Sequence, residues 1–137
     1  MSTNRFVMAT LAGGVTIFVM GFLIYGLATA SFFEANQGTA TGVLKETPDF
    51  LYLGLGQLVF GTLLTVVIGK WAGASGAGSG LQIGATLGLL MGFAIDLTMH
   101  GVTNTANLTA TLVDPFLVAV QMGCGGAAVG AVLGRRD

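Results

Sequence analysis

No Asp, Glu, Lys or Arg occurs between Arg5 and Glu34. A helix needs about 20 apolar residues to cross about 30 Å of hydrocarbon, so this one stretch spans a bilayer with length to spare for tilt. Soluble domains carry roughly 25% charged residues. Here only 8% are charged and 53% are hydrophobic, with a mean hydropathy of +0.85, which excludes a soluble globular class.

Charges punctuate the rest of the chain in the same way. Thr47-Pro48-Asp49 gives a helix-start signal and Lys70 a stop, while Gly73 to Ser79 reads as a flexible linker and Asp114-Pro115 as another start. The sequence therefore predicts an all-α polytopic membrane protein. It is a four-transmembrane-helix bundle forming a single membrane domain over 1–137, with helices at about 6–30, 50–69, 81–100 and 115–134, outer loops at 31–49 and 101–114, and an inner linker at 70–80. Ala28-Thr29-Ala30 mimics a signal-peptide cleavage site, but the apolar run before it exceeds the usual length of roughly 7 to 15 residues, so a retained span is expected.

Four spans put both termini on one side. Arg5, Lys70, Arg135 and Arg136 fall on that side and only Lys45 on the other, so the positive-inside rule predicts cytoplasmic termini. Trp71 at the inner edge, and Tyr25, Phe32, Phe33 and Tyr52 toward the outer edge, suit interfacial aromatic belts.

A glycine ladder marks the third span: Gly80, Gly84, Gly88 and Gly92, continued by Asp96 and His100. Gly126, Gly130 and Gly134 repeat the step on the fourth. Small residues four apart lie on one ridge and allow close helix approach in lipid, so Gly-rich close packing is expected, either within the chain or against a second copy. Each i+4 step drifts by about 40°, so on a straight helix Gly80 and His100 are expected to face different neighbours.

Asp96 is the carboxylate that looks embedded, and intramembrane ionisable groups mark functional candidates. His100 follows one turn later, close enough for an Asp-His pair. Asp96, His100, Asn104, Asn107 and Asp114 are thus candidate ligand- or proton-binding residues around an outward-facing polar pocket. The competing role is structural, with Asp96 neutralising His100 or accepting a hydrogen bond from Tyr25, Tyr52 or Gln57. Asp114, directly before Pro115, is expected to cap the fourth helix. The inner half offers only weakly polar groups such as Thr10, Thr65, Gln82 and Thr86.

The chain's lone histidine and lone cysteine, Cys124, fall short of a zinc pattern, a redox pair, bis-histidine haem ligation or a nucleophilic triad, even with Met99, Glu34 or Asp114 as extra ligands. No metal, cofactor or catalytic residue is expected. Five Lys and Arg residues and a net charge of −1 argue against nucleic acid.

The run from Asp96 to Asn104, followed by Asn107-Leu108 and Val113-Asp114, resembles small uncharacterised bacterial four-span inner-membrane proteins of the domain-of-unknown-function class. The resemblance implies the four-span architecture and an outer polar cluster of Asp96, Asn104, Asn107 and Asp114, and it brings no activity. Two functions follow as expectations. One is a non-catalytic bundle component that forms a homo-oligomer or joins a larger membrane complex through its glycines. The other is a small transporter, or a protein binding a small molecule or ion, with Asp96 and His100 at the floor of its pocket.

Overall fold

The computed structural model describes residues 1–135; Arg136, counted above among the basic residues, and Asp137 lie outside them. The chain is all-α, and four helices are long and apolar enough to cross a membrane. Helix α1 covers Thr3–Gly21 and winds on as a π-helical stretch over Phe22–Ala28. The short α2 follows at Ala30–Ala35, α3 covers Phe50–Thr65 with a π-helical continuation over Val66–Trp71, and α4 and α5 cover Ala77–Val102 and Leu108–Leu133.

Local chemistry accounts for the helix ends. Ser2 accepts a hydrogen bond from the Arg5 amide at 3.3 Å, and Asp49 accepts from the Leu51 amide at 3.2 Å, each occupying an amide the first turn leaves unpaired. Gly73 and Gly76 hold φ of +58° and +99°, which makes a tight turn between α3 and α4 and shortens the expected linker to 72–76.

The fourth span departs most from the sequence reading, because α5 begins at Leu108 rather than at Pro115. Asn107 is its cap, with an extended backbone and a side chain accepting from the Ala110 amide at 2.9 Å. Asp114 therefore does not cap the helix; it sits inside it beside Pro115. Proline inside a helix loses the hydrogen bond to the residue four before it and crowds that carbonyl, a defect that membrane helices tolerate.

Glycines set how the helices pack. A methyl group on Gly80 would run into the Gly126 carbonyl, and one on Gly84 into that of Met122. On Gly88 it would lie 2.6 Å from the Val118 carbonyl oxygen, and on Gly92 2.8 Å from the Pro115 Cα. On Gly126 and Gly130 it would strike the Gly80 and Gly76 carbonyls, while Gly134 packs beside Gly76. The two backbones thus touch along most of their length. The expected drift does not divide the ladder between neighbours, since even His100 reaches Thr111 of α5. Both rows advance by four residues per step, so the drift of one is matched by the other.

Helix α4 leans on α5 and makes little contact with α1 or α3, whereas α1 packs on both α3 and α5. The α1–α3 contact uses a second glycine meeting, in which a methyl on Gly61 would lie 2.6 Å from the Gly14 amide nitrogen. A core of Ile17, Leu64, Ile68, Met122 and Val129 fills the half of the bundle that carries the termini. The half that carries the loops between α1 and α3 and between α4 and α5 is hollow.

Replacing Gly84 by Leu is expected to lower stability by about 3 kcal/mol or more, since the side chain meets backbone that cannot yield. Gly54→Ala, whose added methyl meets nothing, is expected to leave stability unchanged or raise it by up to about 1 kcal/mol. Thermal unfolding of the purified protein in detergent reads both.

Candidate functional site

The hollow half is a cavity of about 770 Å³ between α1, α3, α4 and α5. Its walls are mostly apolar, with Phe18 and Phe22 from α1 and its continuation, Leu53 and Phe60 from α3, Met91 and Ile95 from α4, and Val118 from α5. Around this cavity α4 hardly meets α3 or α1. The core behind Ile17 and Met122 closes the cavity toward the termini.

Leu44 and Pro48 of the loop between α2 and α3 also line the cavity. That loop is tied to the α4–α5 connection. The Gly38 amide donates to the Thr105 carbonyl at 3.1 Å, the Ala40 amide to the Asn104 carbonyl at 3.0 Å, and the Asn107 side chain to Asn36 Oδ1 at 2.9 Å. The loop thus covers part of the mouth.

Polar groups gather at the loop end of this apolar space. Asp96 of α4 and Asp114 of α5 face each other across the helix seam, close enough for their carboxyls to interact. The Tyr25 hydroxyl donates to Asp114 Oδ1 at 2.7 Å. Tyr25 stands in the π-helical continuation of α1, where the wider turn alters which side chains face inward. Phe33 of α2 packs against its ring at 5.6 Å between centroids. Asp96 Oδ2 is buried and accepts from no amide, hydroxyl or basic group among the described residues, although the Asp114 carboxyl lies near enough to share a hydrogen bond with Asp96. Gln57 and Gln121 also line the cavity, and Gln121 Nε2 donates to the Ile17 carbonyl at 2.9 Å.

The expected polar cluster is therefore divided. Asp96 and Asp114 come together. His100 is exposed, and its Nδ1 lies 3.3 Å from both the Ala106 carbonyl and Thr111 Oγ1, so it makes no pair with Asp96. Asn104 is exposed on the connecting loop and Asn107 is engaged as cap and loop tie. Tyr25, foreseen as one donor to Asp96, bonds Asp114 instead, while Tyr52 is 70% exposed and serves neither. The reason is register. Setting α5 to start at Leu108 places Asp114 almost two turns inside it, level with Asp96 on the antiparallel α4.

Two facing carboxyls in an apolar surround repel each other unless a proton, a cation or donor groups lie between them. Tyr25 supplies one donor to one of them. No group of three or more His, Cys, Asp or Glu residues able to hold a metal ion occurs among the described residues. No protein family, curated protein or solved structure matches the chain.

Replacing Tyr25 by Phe removes the bond to Asp114 and is expected to lower stability by about 1 to 3 kcal/mol, read by thermal unfolding. His100→Ala, which removes an exposed side chain with two long contacts and leaves Thr111 bonded to the Asn107 carbonyl, is expected to stay within about 0.5 kcal/mol of the parent.

Proposed function

We propose that this membrane protein binds a small, largely apolar molecule drawn from the bilayer, and that the cavity between α3 and α4 is its binding site. The observation that carries the reading is the cavity itself. Its volume falls in the range of about 300 to 1,000 Å³ typical of small-molecule sites, its walls are mostly apolar, and Tyr25, Asp96 and Asp114 converge at its loop end while Gln121 lies by Ile17 at the other. The seam where α4 leaves α3 gives a ligand dissolved in lipid a way in from the side. The reading is of binding, not of catalysis, and it moves the site from the Asp96–His100 pair to Asp96 and Asp114.

Association with a second copy or a larger complex was motivated by the glycine ladders. Gly80 to Gly92 and Gly126 to Gly134 are engaged between α4 and α5, so they offer no argument for an outside partner. The cavity is the feature without an internal explanation.

The charge asymmetry supports an orientation for the site. Arg5, Lys70 and Arg135 stand at the terminal end and Lys45 alone at the loop end, which fits termini in the cytoplasm and a cavity in the outer half of a bacterial inner membrane. The likeness to small four-span bacterial membrane proteins agrees with that setting. In a Cys124→Ala background, Thr41→Cys should then react with an impermeant maleimide on intact cells and Ser75→Cys only after permeabilisation. The reverse pattern would invert the orientation.

The binding reading is tested in lipid nanodiscs with decanol as a neutral apolar probe. Saturating probe is expected to raise stability, by about 2.7 kcal/mol at a hundredfold excess over the dissociation constant. Met91→Trp, which fills the cavity from α4, is expected to abolish the gain. A wild-type protein that responds no more than Met91→Trp contradicts the reading.

A further inference from the structure

We infer that the ligand of this cavity is an amphipathic primary amine, its hydrocarbon body held between Leu53, Met91, Ile95 and Val118 and its ammonium group seated between Asp96 and Asp114. The inference rests on the binding reading and assigns the chemical class of the ligand. Three observations on the chain converge on it.

The first is charge complementarity inside the cavity. Its acidic lining residues among the described residues are Asp96 and Asp114, and no described Lys, Arg or His lines it. A carboxylate within a membrane-spanning helix calls for a counter-charge or water. None of the described residues donates to Asp96 Oδ2.

The second is the match between donors and acceptors. A primary ammonium carries three N–H donors. Asp96 Oδ2 is unpartnered beside the Asp114 carboxyl, and the Tyr25 oxygen, whose O–H donates a hydrogen bond to Asp114, keeps a lone pair to accept another. The resulting bonds are charge-assisted, which makes them the stronger kind. An inorganic ion fits less well. Calcium takes six to eight oxygens, and the described residues assemble no acidic or histidine cluster larger than this pair. The apolar walls would also be of no use to a bare ion, whereas an alkyl or aryl body buries them.

The third is the field at the mouth. Glu34, Glu46, Asp49, Asp96 and Asp114 stand at the loop end against one lysine, Lys45. A surface of one dominant sign raises the local concentration of oppositely charged solutes. Cations are thus favoured before they reach the cavity, and anionic amphiphiles are disfavoured.

The test compares decylammonium, decanol and decanoate, which share a chain and differ in the head group, by their stabilisation of the full protein in nanodiscs of neutral lipid. Decylammonium is expected to bind about tenfold or more tightly than decanol, the factor that one charge-assisted hydrogen bond contributes, and decanoate is expected not to bind. Asp96→Asn and Asp114→Asn are expected to erase the preference for the amine while keeping the decanol response, which shows that the fold and cavity survive. Equal binding of decylammonium and decanol to the wild type overturns the amine inference and leaves the binding reading standing. A preference that persists in both variants also overturns it, because the charge would then lie elsewhere. Failure of all three probes overturns both. Stabilisation by calcium chloride alone through the same two carboxylates, with no added effect of decylammonium, assigns the pair to a metal and overturns the inference.

Discussion

The backbone contact between α4 and α5 is the interaction on which the rest of this structure depends. In lipid there is no hydrophobic force between helices, so association rests on close van der Waals contact, and glycine allows the closest. From Gly80 against Gly126 to Gly92 against Pro115, α4 is held by one neighbour along its whole glycine face. It needs no second neighbour. That is why α4 can stand away from α3, and why a bundle of only four helices contains a cavity of about 770 Å³.

The same contact makes the site polar. Fixing α4 against α5 in this register brings Asp96 level with Asp114, so two carboxyls that are distant in sequence share one end of the cavity. Placing ionisable groups in a membrane is costly, and proteins that keep them turn them toward a cavity or a partner rather than toward lipid. Here they face the cavity near the end where the loops begin, with Tyr25 bound to one and no donor on the inner oxygen of the other. The terminal half is closed by the contacts of Ile17, Leu64, Ile68 and Val129. Architecture and chemistry therefore divide along the bundle axis, with a packed half that holds the helices together and an open half that carries the two facing carboxyls.

Much of the scaffold is legible in the amino-acid sequence. Hydropathy and the spacing of charges locate four spans, and the glycine rows announce close packing, because both signals are local and survive without knowledge of neighbours. The start of α5 is misread from sequence because Asp114-Pro115 carries the strongest local start signal, while Asn107, whose extended backbone makes the cap, stands in a polar run with nothing to single it out. The pairing of Asp96 with Asp114 is hidden for the same reason, since it depends on where α5 begins. Asp96 and His100 look like partners at helical spacing, yet His100 turns to Thr111 on the neighbouring helix. The contact of Gly14 with Gly61 could have been suspected from a Gly13-Gly14 pair in mid-span. The cavity could not, because a scarcity of contact between α3 and α4 leaves no residue pattern.

The most direct measurement of the central claim is photo-crosslinking in nanodiscs with an alkyl amine that carries a diazirine on its chain, followed by mapping of the labelled residues. The account predicts label on Leu53, Met91, Ile95 and Val118 inside the cavity, lost on competition with excess unlabelled amine. Label spread evenly over exposed apolar residues such as Val59 and Leu90, and unchanged by the competitor, would contradict it.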